Sequence, residues 1–252
     1  MGEHATCQRQ SKAGDQRQDH RPRAGAKPTR QQLSQGQYKQ NRRILPQEIS
    51  PVVLTPSTML PLGTILPVFE LEQVWGADGA SSGRCWSSAQ LSNQPLLVLF
   101  ICAHCPFVKH IEPELSRLER DFGSRLQIVA ISSNSTLSHP QDAPAGLQEQ
   151  AQRNGWRFPY LFDADQAVAK AFQAACTPDL FLFGPPSGAA GSRTLVYRGQ
   201  LDASRPGNDQ PLNGLDLRRA IDAVLSGRPV ATDQQPSIGC NIKWHPEGTS
   251  AN

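Results

Sequence analysis

Leu96-Leu97-Val98-Leu99-Phe100-Ile101 is apolar without a break, so it offers no face to water. Such a run suits a strand buried on both sides in a helix-covered sheet. Val108, Ile111, Leu115, Leu118 and Phe122 then recur at the spacing of one helical face. A second apolar run follows at 126–131. Strand, helix and strand in this order predict a parallel crossover, and with it an α/β sheet covered by helices on both faces.

The pattern continues downstream. Strands are expected at 68–74, 158–162, 180–183 and 194–197, a turn or hairpin tip at 76–83, and helices at 145–153, 166–174 and 215–225. Asn154-Gly155 is the C-cap of the second helix. The expected order is βαβαβαββα, with the parallel crossovers first and a hairpin plus helix last. From Arg228 the chain is Pro-rich and reads as an irregular tail. A length of 252 residues with 38% hydrophobic allows a sizeable core. The longest apolar run, 96–102, is too short to span a membrane.

The net charge of +3 averages two unlike parts. Residues 1–43 carry ten Lys/Arg, three Asp/Glu and nine Gln, whereas the rest carries fifteen basic and nineteen acidic residues. The body is therefore slightly acidic and gives no reason to expect nucleic-acid binding. Residues 1–50 read as a disordered basic tail, or as an upstream extension that is not translated, since folded patterning starts near Leu54. No apolar segment of a secretory signal follows the N-terminal charges, and a cytoplasmic location is expected. The division is thus tail 1–50, domain 54–227 and C-terminal tail 228–252 carrying Cys240.

Six cysteines, Cys7, Cys85, Cys102, Cys105, Cys176 and Cys240, are too sparse for a disulfide scaffold. Cys105 is the informative one. It follows a buried strand and opens a helix, with Pro106 at the first helical position. Unpaired N–H groups and the helix dipole favour a thiolate there, and His104, Lys109 and His110 stand close by in sequence. Cys102-Ala103-His104-Cys105 has the spacing of a redox pair or of half a metal site. A zinc site would need two further ligands at a recognisable spacing, and neither a second CxxC nor an HxxxH occurs. Haem attachment would need His where Pro106 stands. Dithiol chemistry is favoured, although Cys102 at the strand end leaves the direction of its sulfur open.

These residues resemble the thioredoxin superfamily, and within it the peroxiredoxin-like branch of alkyl hydroperoxide reductase and thiol-specific antioxidant proteins. The resemblance spans about 54–244. An apolar strand ends in Phe100, Cys105 follows five residues later, then Lys109 and Pro113, and Thr177-Pro178 stands where the family places a cis-proline facing the active-site cysteine. Segments 54–63, 103–110 and 236–244 are similar to those of a peroxiredoxin-like redoxin group. The resemblance implies a thioredoxin-like fold with a central mixed sheet. It also implies a thiol-dependent oxidoreductase acting on a disulfide or peroxide, regenerated by a thiol reductant and needing no cofactor. Oligomeric state is not legible.

Two departures limit the analogy. Val108 occupies the position of the second active-site cysteine. The Pro-x-x-x-Thr pattern before a peroxidatic cysteine is missing, with Cys102 three and Val98 seven residues before Cys105. Resolution of oxidised Cys105 then falls to Cys102, Cys176 or Cys240, ranked in that order. Cys176 would be brought to the site by the fold and Cys240 by a mobile arm. Cys85 and Cys7 read as bystanders. A Cu(I)-binding module and a redox sensor without turnover are the alternatives. The loop 202–208 could hold substrate, or be a solvated loop with one Arg–Asp pair. The loop 139–144 reads as structural.

Overall fold

A computed structural model describes residues 54–188 and 191–246. The tail 1–50, Cys7 included, lies outside the described residues. Ten strands and four α-helices run in the order β1 (Leu54–Pro56), β2 (Glu70–Gly76), β3 (Gly79–Ser87), β4 (Leu96–Phe100), α1 (Pro106–Phe122), β5 (Gln127–Ser132), α2 (Pro144–Asn154), β6 (Tyr160–Phe162), α3 (Ala167–Ala171), β7 (Cys176–Thr177), β8 (Asp179–Phe183), β9 (Leu195–Arg198), α4 (Leu215–Leu225) and β10 (Ile238–Asn241).

Seven strands form one mixed sheet in the order β3-β2-β6-β5-β4-β8-β9. Its centre is the pair recognised from the apolar runs. β4 and β5 are parallel, Leu97 facing Ile128 and Leu99 facing Ala130, and every residue of β4 is buried. β6 continues the parallel arrangement, while β8 and β9 run antiparallel on the other side of β4. The thioredoxin-like fold implied by the resemblance is therefore the fold of this chain. The hairpin tip expected at 76–83 is tighter than that: Gly76 pairs with Gly79, and β3 starts there.

α1 buries Val108, Ile111, Leu115, Leu118 and Phe122, the face read from its spacing, although Pro113 lies inside it. Glu112 and Glu114 on the same helix are buried as well. Burying a carboxylate is costly unless it is paired, and both are. Gln150 Nε2 donates to Glu112 Oε1 at 2.9 Å, and Arg218 Nε donates to Glu114 Oε1 at 2.6 Å. α2 ends at Gly155 in the left-handed region, with φ 66°, as Asn154-Gly155 suggests.

The C-terminal tail departs from expectation. Residues 238–241 are not irregular but form β10, the middle strand of a second, three-stranded sheet ordered β1-β10-β7. Leu54 pairs with Cys240 on one side, and Thr177 pairs with Cys240 on the other. Two ladders of backbone hydrogen bonds fix this segment, so Cys240 is delivered by a held strand and not by a mobile arm.

Candidate active site

Cys105 is the N-cap residue of α1, with Pro106 behind it at the first helical position. Pro lacks an N–H, and the position needs none. The thiol is fully buried; when protonated it donates to the carbonyl of Thr177 at 3.2 Å. The peptide bond Thr177–Pro178 is cis.

The electrostatics single out one sulfur. Cys105 is held far below a thiol's ordinary value, first by a hydrogen bond from the Cys102 thiol and then by one from Cys240, against burial, with Thr177 and the Val108 N–H adding to the effect. Its partners move the other way. Burial first, then the hydrogen bond with Cys105, pushes Cys102 well up. The hydrogen bond with Cys105 first, then burial, pushes Cys240 up. Of the three, Cys105 alone is shifted toward ionisation.

Cys102 thus faces Cys105, which its place at the strand end had left open. Its sulfur also lies 3.5 Å from Thr177 Oγ1 and 3.7 Å from His104 Nδ1. Cys176 is brought near but turned aside, since its thiol donates to Pro178 O at 3.4 Å. Burial, then the nearby Asp179, pushes that thiol up. Cys102 and Cys240 thus both act on Cys105, while the Cys176 thiol bonds elsewhere. Lys109, one turn into α1, is exposed, and its backbone N–H donates to Cys105 O at 3.0 Å. Cys85 lies on the edge strand β3 opposite Glu72, away from β4.

Sequence reading missed Asp142. It sits in the loop taken as structural, fully buried, and binds the Cys-Ala-His-Cys turn at three points. Oδ1 accepts from the N–H groups of Ala103 (2.9 Å) and His104 (3.1 Å), and Oδ2 pairs with His104 Nδ1 at 2.5 Å. Asn134 Nδ2 donates to Oδ2 at 2.9 Å, while Asn134 Oδ1 accepts from Lys243 N at 2.8 Å. One carboxylate therefore ties the turn before Cys105 to the chain just after Cys240. The imidazole of His139 leans on that of His104, ring centroids 4.4 Å apart. A buried Asp in a Pro-flanked loop carries no local signal that would have marked it.

Cys102 Sγ, His104 Nδ1 and Asp142 Oδ2 lie within 4.8 Å of one another, the group that could hold a metal ion. Four donors already occupy the two Asp142 oxygens, and a cation would have to displace at least one of them.

A thioredoxin-like sheet that sets a cysteine at the start of α1 against the cis peptide Thr177–Pro178 has the arrangement of a redoxin. The family model described as AhpC/TSA family matches residues 62–189, and the chain belongs to that family. It is 43% identical to an uncharacterized conserved protein from Geobacillus kaustophilus, covering 78% of this chain and 98% of that one, with a TM-score of 0.70. A hypothetical protein from Sinorhizobium meliloti is also 43% identical, covering 76% of this chain and 98% of that one, TM-score 0.67. No curated protein matches the chain. No helix among the described residues is long and apolar enough to cross a membrane.

Proposed function

We propose that this protein is a thiol-dependent oxidoreductase in which Cys105 is the nucleophile and Cys102 or Cys240 resolves it. The observation that carries this reading is the place of Cys105 at the start of α1, its sulfur 3.2 Å from the carbonyl of Thr177 at the cis peptide before Pro178. With a disulfide substrate, the thiolate attacks one sulfur and the other leaves as a thiolate that takes up a proton. With a peroxide, it attacks an oxygen, the O–O bond breaks, an alcohol or water leaves, and Cys105 becomes a sulfenic acid. A neighbouring thiol then attacks Cys105 sulfur, losing its proton and forming the intramolecular disulfide; the second thiol of the substrate, or water, departs. An external thiol reductant returns the two electrons.

The influence of both Cys102 and Cys240 on Cys105 supports either as the resolving thiol, whereas Cys176 donates to Pro178 O. The four thiols Cys102, Cys105, Cys176 and Cys240 are free, so each is available for exchange. The Cu(I) reading has less support, because His104 and Asp142 already satisfy one another.

Thiol counting by mass spectrometry tests the proposal. One equivalent of peroxide or of a small disulfide should remove two free thiols from the wild type, and peptide mapping should place the new bond between Cys105 and Cys102 or Cys240. Cys105→Ser should lose none. Retention of all thiols by the wild type with both oxidants would overturn the enzyme reading, as would equal loss in Cys105→Ser.

A further inference from the structure

The loop 202–208 after β9 walls a narrow cleft whose remaining sides belong to the redox site. Phe107 and His110 from the first turns of α1, Pro178 and Ile238 line it together with Arg205. Phe107 stands two positions after Cys105, Pro178 one after Thr177, and Ile238 two before Cys240. A molecule seated in the cleft therefore borders the segments that carry the reacting sulfurs.

The Arg–Asp pair that the loop suggested does not form. Asp202 spends its carboxylate on backbone: Oδ1 accepts from Ser204 N at 2.9 Å, and Oδ2 from Asn213 N at 2.8 Å and Gly214 N at 2.6 Å, turning the chain into α4. Arg205 Nη1 donates instead to the carbonyls of Asp202 (2.6 Å) and Ser204 (2.7 Å), and Nη2 to Gln200 Oε1 (2.6 Å). All three acceptors are neutral. Asp202 and Asp216 are close enough to act on the guanidinium, but burial is the larger effect and pushes it down. Asp216 is engaged through Gln200, whose amide donates to its Oδ2 at 2.6 Å.

A guanidinium has five N–H donors, so two remain without a partner among the described residues, and Arg205 makes no ion pair there. A half-buried cation whose direct partners are all neutral has given up hydration without an ion pair. A carboxylate entering the cleft would supply that charge and suit the fork of donors. The loop is also fixed in place: His110 Nε2 lies 2.8 Å from Ser204 Oγ, which donates in turn to Gln210 O at 2.9 Å.

We propose that this cleft binds the carboxylate of a small anionic disulfide, with Arg205 selecting it for attack by Cys105. The proposal rests on the reading of Cys105 as the nucleophile. The thiolate attacks the disulfide sulfur nearest the carboxylate arm, and the first carboxylate-bearing thiol leaves. Cys102 or Cys240 then displaces the second, so the protein ends oxidised and the substrate ends as two thiols.

Single-turnover oxidation of the reduced protein by dithiodipropionate and by the uncharged hydroxyethyl disulfide tests it. The wild type should favour the anionic disulfide, Arg205→Gln should lower that preference about tenfold or more, and Arg205→Lys, which keeps the charge but not the fork, should retain only part of it. An unchanged preference in Arg205→Gln would overturn the proposal. Should that variant fail to fold, the wild type serves: its preference should fall steeply as salt is raised, and a salt-independent preference counts against Arg205. Should neither disulfide react, the redox reading fails but the cleft is still judged. Unreactive methylthiopropionate should shift the ring resonances of His110 in the wild type, and no shift would overturn the site.

Discussion

Cys105 combines two demands that usually conflict, burial and ionisation. Burial alone raises a thiol's pKa, and Cys102 and Cys176 follow that rule. Cys105 escapes it because its neighbours donate to it. Cys102→Ala and Cys240→Ala should each raise the pH at which Cys105 begins to react, Cys102→Ala more so, since that bond contributes most. Alkylation rates by iodoacetamide as a function of pH check this. At acidic pH the rate should fall about tenfold in Cys102→Ala, whereas Cys176→Ala should leave the profile in place. A profile unmoved by Cys102→Ala would mean that the helix start alone stabilises the thiolate.

Short segments far apart in the chain build the site at the scale of elements. β10 reaches β7 closely enough that a Cβ on Gly239 would stand 2.1 Å from Thr177 O, the atom that accepts from the Cys105 thiol. Backbone on both sides cannot yield, so Gly239→Ala should cost about 2 kcal/mol or more of stability, read from urea denaturation, or displace β10 and detach Cys240 from Cys105. In the latter case the oxidised variant would contain only the Cys102–Cys105 bond. The Asp142 loop acts in the same way. Asp142→Ala strands the N–H groups of Ala103 and His104 as well as His104 Nδ1 and Asn134 Nδ2, and should cost about 2–4 kcal/mol. The same measurement checks it, and a cost near zero would show that water replaces the carboxylate.

For the whole molecule, buried acids set the response to pH. Burial raises Asp179 to about 7 and Asp163 to about 6, from an ordinary 3.8. Between those limits the folded chain keeps protons that the unfolded chain has released, so their contribution to stability is complete below the ordinary carboxylate value and is lost as pH rises through the folded values. Urea midpoints should therefore decline from about pH 4 to about pH 7. Asp179→Asn, neutral at every pH, should flatten that decline, and an equally steep decline in the variant would assign it to other groups. Arg205 belongs to this scale too, since its place in the cleft depends on the loop after β9, α1 and β10 meeting beside one cis peptide bond.

Much of this was written locally in the sequence. A short apolar run followed by a helical stripe suits a strand buried on both faces, and a 3.6-residue stripe packs one side of a helix. The β4-α1-β5 core, the address of Cys105 at its helix start and the left-handed cap at Gly155 follow from such patterns. Tertiary structure alone decided which thiols meet. β1, β7 and β10 have three, two and four residues, too few to show a period, and each exists because a partner distant in sequence completes its hydrogen bonds. So Cys240 arrived on a strand and not on an arm, Cys176 turned away, and Asp142 became the staple of the Cys-Ala-His-Cys turn. Periodicity reports which face of an element is buried; only the folded chain reports what lies opposite that face.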